Sequence, residues 1–248
     1  MIQYLQADAT GGELAVKRQL FLHAGKHKTG STSIQRYLAD NDSFFMSEGL
    51  KVVTHSLGPS SSGIPSTNCV DIAHSVIRPD LDTPYRLARN RGHPTEPAEQ
   101  RRDALEFGRI LANTEGDALV VSAEAFSFLR TPAEQEVFRL VFAEFEVTSL
   151  VFFRNPSDWM ESWIRQTSTL FANFGHRRRS VTSIFDYGPD SWLVDDRAIE
   201  AFFPECRPLS YEDAIDGNGS VLPVFLEALG LRPQECPPWD AYERGLRS

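Results

Sequence analysis

The chain has 248 residues, 41% apolar and 24% charged, a composition that fits a globular protein with one substantial core. Lys and Arg number 25 against 34 Asp and Glu, a formal net charge of −9, which excludes the broad basic surface of a general nucleic-acid binder. The three cysteines, Cys69, Cys206 and Cys236, are odd in number and scattered. A disulfide framework or a cysteine-rich zinc site is therefore not expected, and a reducing, cytoplasmic setting is. Met1 to Gly12 lacks the basic and apolar regions of a secretory signal. The longest apolar runs fall far short of the ~18 residues of a membrane helix.

In chain order, residues 18–24 (RQLFLHA) read as a short strand ending at a glycine turn, and 31–41 (STSIQRYLADN) as a helix with Ile34, Tyr37 and Leu38 on one face. Residues 51–54 (KVVT) are a brief strand, 55–66 a Ser-, Gly- and Pro-rich loop, and 68–77 a helix. Residues 78–97 read as a long polar excursion on the surface. An amphipathic helix over 98–114, a strand over 118–123 and a helix over 132–142 follow. A buried strand is expected over 147–153, then a helix from 157 to 166 with Asn155 or Ser157 as its cap. A late strand over 206–209 precedes a closing helix over 221–229 that stops at Gly230. Short apolar strands alternating with helices indicate an α/β fold of three layers, α/β/α, around a central parallel sheet. With no internal repeat or low-complexity linker, residues 1–248 read as one domain, its ligand site expected at the carboxyl ends of the strands.

The loop after the first strand, Gly25-Lys26-His27-Lys28-Thr29-Gly30-Ser31-Thr32-Ser33, suits an anion. Two glycines let backbone N–H groups turn inward, and the helix that follows presents free donors and a partial positive charge. Lys28 adds a full charge, and Ser31, Thr32 and Ser33 add hydroxyls. Gly25 and Gly30 keep the separation of the nucleotide-triphosphatase loop G-x-x-x-x-G-K-[ST], with Thr32 in its last position. Ser31, however, stands where that loop has its lysine, so this is a P-loop-like phosphate loop rather than the standard one. A second basic element ends the 147–153 strand: Arg154-Asn155-Pro156-Ser157-Asp158-Trp159-Met160-Glu161-Ser162-Trp163. Its arginine offers a planar fork matched to a phosphate.

Lys28-Thr29-Gly30-Ser31-Thr32 resembles the 5′-phosphosulfate loop of the sulfotransferase family. Residues 154–163 resemble that family's 3′-phosphate motif R-N-P-x-D-x-x-x-S-[YW], in which the arginine and the serine hold the 3′-phosphate. Leu209-Ser210-Tyr211-Glu212-Asp213 is similar to the family's adenine-contacting segment, and residues 225–231 resemble its closing helix. The resemblance spans about residues 18–231. It implies transfer of a sulfuryl group from 3′-phosphoadenylyl sulfate to a hydroxyl or amine, leaving adenosine 3′,5′-bisphosphate, with no metal. It implies a nucleotide site formed by Lys26, His27, Lys28, Thr29, Gly30, Ser31, Thr32 and Ser33 together with Arg154, Ser162 and Tyr211. Tyr211 is equally consistent with a packed tyrosine near a strand end.

Lys28 is the expected stabiliser of charge on the leaving phosphate. The base for the acceptor proton is open between His55, after the KVVT strand, and Glu124, in a Ser-x-Glu after the 118–123 strand. Glu48 is expected at a solvated helix end, His23 as a structural residue, and His74 and His93 at the surface. Arg177, Arg178 and Arg179 could hold the nucleotide, attract an anionic acceptor, or form a plain solvated loop. The acceptor is expected to be a small molecule or a saccharide, with no nucleic acid and no membrane partner, and the oligomeric state is not legible. A P-loop kinase-like phosphotransferase and a non-catalytic nucleotide-binding module are the alternative readings.

Overall fold

The computed structural model describes residues 17–54, 67–88, 96–174 and 183–242. The chain enters through β1 (Arg18–His23), α1 (Ser31–Asp40), α2 (Asp42–Ser47) and β2 (Leu50–Val52). It continues through α3 (Val70–Val76), α4 (Pro84–Ala88), α5 (Pro97–Ala112) and β3 (Ala118–Ser122). A 3-10 segment (Glu124–Phe128) and α6 (Pro132–Val141) lead to β4 (Phe145–Phe153) and the long α7 (Pro156–Phe174). The remaining major elements are α8 (Asp196–Phe202), β5 (Cys206–Ser210), α9 (Tyr211–Asn218) and α10 (Leu222–Ala228). The strands make one sheet in the order β2-β3-β1-β4-β5, with every pairing parallel. This is the expected α/β architecture.

Strand alternation builds the two outer layers. Leu20 and Leu22 of β1, Leu119 and Val121 of β3, and Val147 and Val151 of β4 face α3, α5, α6, α7 and α8. Val120 of β3 and Leu150 and Phe152 of β4 face the other way, against α1, α2, α9 and α10. The path therefore leaves β1 toward one face, where α1 buries Ile34, Tyr37 and Leu38, and leaves the adjacent β4 toward the other, where α7 buries Trp159 and Trp163. Diverging connections from neighbouring parallel strands open a crevice at their carboxyl ends. Among the described residues no helix is long and apolar enough to cross a membrane.

Most strand and helix positions follow the sequence reading to within two or three residues, and Asn155 is the α7 cap, its Oδ1 accepting from the Ser157 N–H at 3.0 Å. Glu48 sits exposed at the end of α2. Two expectations are corrected. Within 78–97, the described residues 78–88 are not a structureless surface excursion: they include α4, and Leu81 and Thr83 are buried. The Arg86 guanidinium sews this stretch together by donating to the carbonyls of Arg78, Leu81 and Ile77 at 2.8, 2.7 and 3.1 Å. His74 is likewise not a surface residue. Its Nδ1 donates to the Val70 carbonyl at 2.7 Å, the Thr83 hydroxyl donates to Nε2 at 2.6 Å, and Tyr85 packs on the ring. A polar run can be interior when its own groups satisfy one another, which composition does not reveal.

Candidate functional site

The loop after β1, residues 25–33, takes its shape from two tight spots. Gly30 has φ +84°, and a Cβ there would meet Val221 Cγ2 at 2.7 Å. A Cβ on Gly25 would meet His23 Nε2 at 2.6 Å. Between them Lys28 adopts φ +67°, the only positive φ of a non-glycine residue among those described. Thr29 folds its hydroxyl back onto the Lys26 carbonyl at 2.6 Å, closing the loop from within. Then α1 begins without a side-chain cap, so the amides of its first turn remain available at its N-terminus.

A cleft of about 820 Å³ opens at this point. The loop contributes His27, Lys28 and Gly30, and α1 adds Ser31, Thr32, Ser33 and Arg36. The carboxyl ends of β3 and β4 contribute Glu124 and Arg154, and α7 contributes Ser162, Arg165 and Gln166. Tyr211 and Tyr242 complete the lining. Residues from both resembling motifs thus face one space, although Lys28 and Ser162 lie 134 positions apart in the chain.

Arg154 ties the two motifs together. Its Nη1 donates to the Lys28 carbonyl at 3.1 Å and to Ser162 Oγ at 3.2 Å. The guanidinium lies 4.9 Å above the Tyr211 ring, and its Nε is buried with no partner among the described residues. The Asn155 N–H donates to Glu212 Oε1 at 2.9 Å, which fastens the end of β4 to the start of α9 and so holds Tyr211 in place. Ser162 reaches Arg154 because two helical turns separate them along α7, the spacing visible in the sequence.

Two loop residues named above do not line the cleft. Lys26 is buried, its Nζ 2.7 Å from Asp196 Oδ1 and 4.6 Å from the centre of the Trp159 ring. Burial pulls its ammonium below the ordinary lysine value, and Asp196 opposes that. Thr29 is buried in its own turn. Ser33 lines the cleft, but its hydroxyl donates to the Tyr242 carbonyl at 2.9 Å. Tyr242 in turn donates to Asp40 Oδ2 at 3.0 Å, and Tyr37 donates to the Pro237 carbonyl at 2.7 Å. These contacts strap residues 237–242 onto α1. Sequence reasoning missed this strap, together with Arg36, Arg165 and Gln166. Only their helical spacing from Ser33 and Ser162 could have pointed to the last three.

Glu124 opens the 3-10 turn after β3 and is mostly buried beside the loop. Its Oε1 lies 3.1 Å from His27 Nδ1. Burial alone would push this carboxyl up; His27 above all, then His23 and the nearby Ser31 hydroxyl, bring it below the usual carboxylate range. His23 sits fully buried in β1, its Nδ1 2.8 Å from Ser122 Oγ, and burial lowers its pKa to about 4. The structural role expected of His23 fits this burial. His55, His93, Arg177, Arg178 and Arg179 lie outside the described residues. Among the described residues no three His, Cys, Asp or Glu side chains gather as metal ligands do.

No family model and no curated protein matches the chain. Solved structures do. A sulfotransferase from Alicyclobacillus acidocaldarius aligns with a TM-score of 0.50 and 14% identity, over 91% of this chain and 86% of the other. The sulfotransferase domain from the curacin biosynthetic pathway aligns with a TM-score of 0.43 and 14% identity, over 90% and 76%. The chain therefore shares its α/β fold, built on a parallel central sheet, with the Alicyclobacillus sulfotransferase.

Proposed function

We propose that the protein is a sulfotransferase that moves a sulfuryl group from 3′-phosphoadenylyl sulfate to a hydroxyl, or an amine, of a small-molecule or saccharide acceptor. The observation that carries this reading is the pairing of two anion sites in one cleft. The uncapped α1 terminus with Lys28 is one, and Arg154 with Ser162 is the other, joined by the Arg154 bond to the Lys28 carbonyl. A nucleotide with phosphates on both its 3′ and 5′ positions needs two such sites. A volume of about 820 Å³ accommodates it. The residues present fit that group, including a buried Arg154 Nε without a partner.

The bound nucleotide would supply an activated sulfuryl group on its 5′-phosphate. Lys28 and the first amides of α1 would face the charge that builds on that phosphate as the bond to sulfur breaks. Arg154 and Ser162 would hold the 3′-phosphate, and Tyr211 would flank the base. Of the two candidate bases, Glu124 borders the cleft as an ionised carboxylate, the form that accepts a proton.

Calorimetric titration with adenosine 3′,5′-bisphosphate, and separately with ATP and Mg²⁺, tests the reading. Tight binding of the bisphosphate and none of the ATP complex is expected. A preference for ATP with metal would sink it in favour of a kinase-like phosphotransferase. Bisphosphate binding with no sulfuryl transfer to any sugar, phenol, amine or alcohol would leave a nucleotide-binding module.

A further inference from the structure

His27 carries more structure than a phosphate loop requires of that position. The loop function belongs to its backbone, whose carbonyl accepts from Trp159 Nε1 at 2.6 Å and so anchors the loop to α7. The imidazole points elsewhere. It packs into the corner formed by the Phe128 and Trp163 rings, whose centroids are 5.1 and 5.0 Å from it and 6.0 Å from each other, and its side chain is 8% exposed. Two aromatic walls leave it little rotational freedom. Its Nδ1 is held 3.1 Å from Glu124 Oε1, and its Nε2 is buried with no partner. A buried ring packed into an aromatic corner and held at one nitrogen is a rigid bracket for whatever that nitrogen holds.

We propose that His27 is a positioning residue: its Nδ1–H fixes Glu124 Oε1, so that the carboxylate presents its second oxygen to the cleft to take the acceptor's proton. The identity of that proton's donor rests on the sulfotransferase reading; the bracket itself does not. In the step served, the acceptor O–H bond breaks and its proton goes to Glu124. The freed oxygen pair forms the new bond to sulfur, and the old bond's electrons leave with the 5′-phosphate. The arrangement couples the two halves of the site, because the residue that orients the base is the chain neighbour of Lys28.

The groups facing Glu124 are His27 from the loop, His23 from β1 and Ser31 from α1. His23 is kept neutral by burial, so its influence is small at neutral pH. His74 of α3 is electrostatically coupled to His27 and is neutral for the same reason. His27 is thus the partner that matters for the ionised carboxylate.

The test uses the full chain labelled with ¹³C at glutamate carboxyls, the Glu124 signal being assigned by its loss in Glu124→Gln. His27→Ala removes the donor. His27→Asn keeps an N–H at the Nδ1 position and is the conservative variant. The Glu124 midpoint is expected to rise by about one pH unit in His27→Ala and to return most of the way in His27→Asn. Affinity for adenosine 3′,5′-bisphosphate should stay within about threefold of the parent, while kcat for sulfuryl transfer falls about 10- to 100-fold with an acid limb displaced upward. An unmoved Glu124 midpoint in His27→Ala overturns the proposal. So does equal loss of bisphosphate affinity in both variants, which would make His27 only a scaffold of the loop. If the midpoint moves but the parent protein transfers no sulfuryl group, the bracket stands and the transferase reading fails. Should His27→Ala not fold, His27→Phe, which keeps a ring in the aromatic corner and removes the Nδ1 donor, decides by the same midpoint: a rise is expected, and an unmoved value overturns the proposal.

Discussion

Lys28 holds a left-handed backbone conformation that disfavours any residue with a Cβ, by about 1–2 kcal/mol. A glycine would relieve that strain but would lose the ammonium. Strain kept at a charged residue marks a place where the charge matters more than the fold. Lys28→Gly is therefore expected to melt at or above the parent temperature while sulfuryl transfer falls about 10²- to 10³-fold. A lower melting temperature with turnover retained would contradict the role given to Lys28. Arg154 differs: its guanidinium touches Lys28, Ser162 and Tyr211 at once, and Arg154→Lys cannot reproduce a planar fork. Both Arg154→Lys and Arg154→Ala should weaken bisphosphate binding about 10- to 100-fold by calorimetry. At this scale the loop and the 154–162 motif were legible because each is local, a few residues at fixed spacing. The fate of Lys26 was not, because Asp196, 170 residues away, decides which lysine of Lys26-His27-Lys28 turns inward.

Among the elements, α8 is the one whose function is to hold that lysine. Asp195 caps it by accepting from the Ala198 N–H at 3.0 Å, and Asp196 in its first turn meets the buried Lys26. Removing one member of a buried pair leaves an unmatched charge. Asp196→Ala is expected to destabilise the fold by about 2–3 kcal/mol in urea, the aspartate being partly exposed, whereas Lys26→Met, which keeps an apolar stem against Trp159, should lose less than about 1.5 kcal/mol. Equal losses would place the stabilisation in packing rather than in the ion pair. The strands and the longer helices α1, α5, α6 and α7 were readable from apolar periodicity. The short helices α2, α8 and α9 were not. Six to eight residues carry little periodicity: α3 and α10, seven residues each, were read from their apolar content, while α2, α8 and α9 depend on tertiary contacts and caps.

For the molecule as a whole, acid is the expected weak point. Burial lowers His23 and His74 to about 4, while the unfolded chain binds those protons near 6.5. Between these values the unfolded state holds more protons, so stability falls as pH drops, by about 2 kcal/mol per histidine from pH 7.5 to 5. Glu124, with its folded pKa lowered, extends the same trend further down, its contribution being lost as pH falls through that value. Urea unfolding at pH 7.5 and 5.0 checks this: the midpoint should fall, and fall less in His23→Gln than in the parent. A pH-independent midpoint would refute it. The three-layer architecture was legible in the alternation of strands and helices. The sheet order was not, because nothing in a strand's own residues names its neighbours.

That order has a consequence for how the chain is made. β1 lies at the centre of the sheet, yet Ser122, the β3 partner of His23, comes 99 residues after it, and β4 later still. At about 5–20 residues per second of translation, Leu20, Phe21 and Leu22 leave the ribosome roughly 5–20 seconds before the first strand that can cover them. During synthesis the middle of the finished sheet is the part that waits longest for shelter, and the yield of soluble protein should depend on what occupies it in that interval.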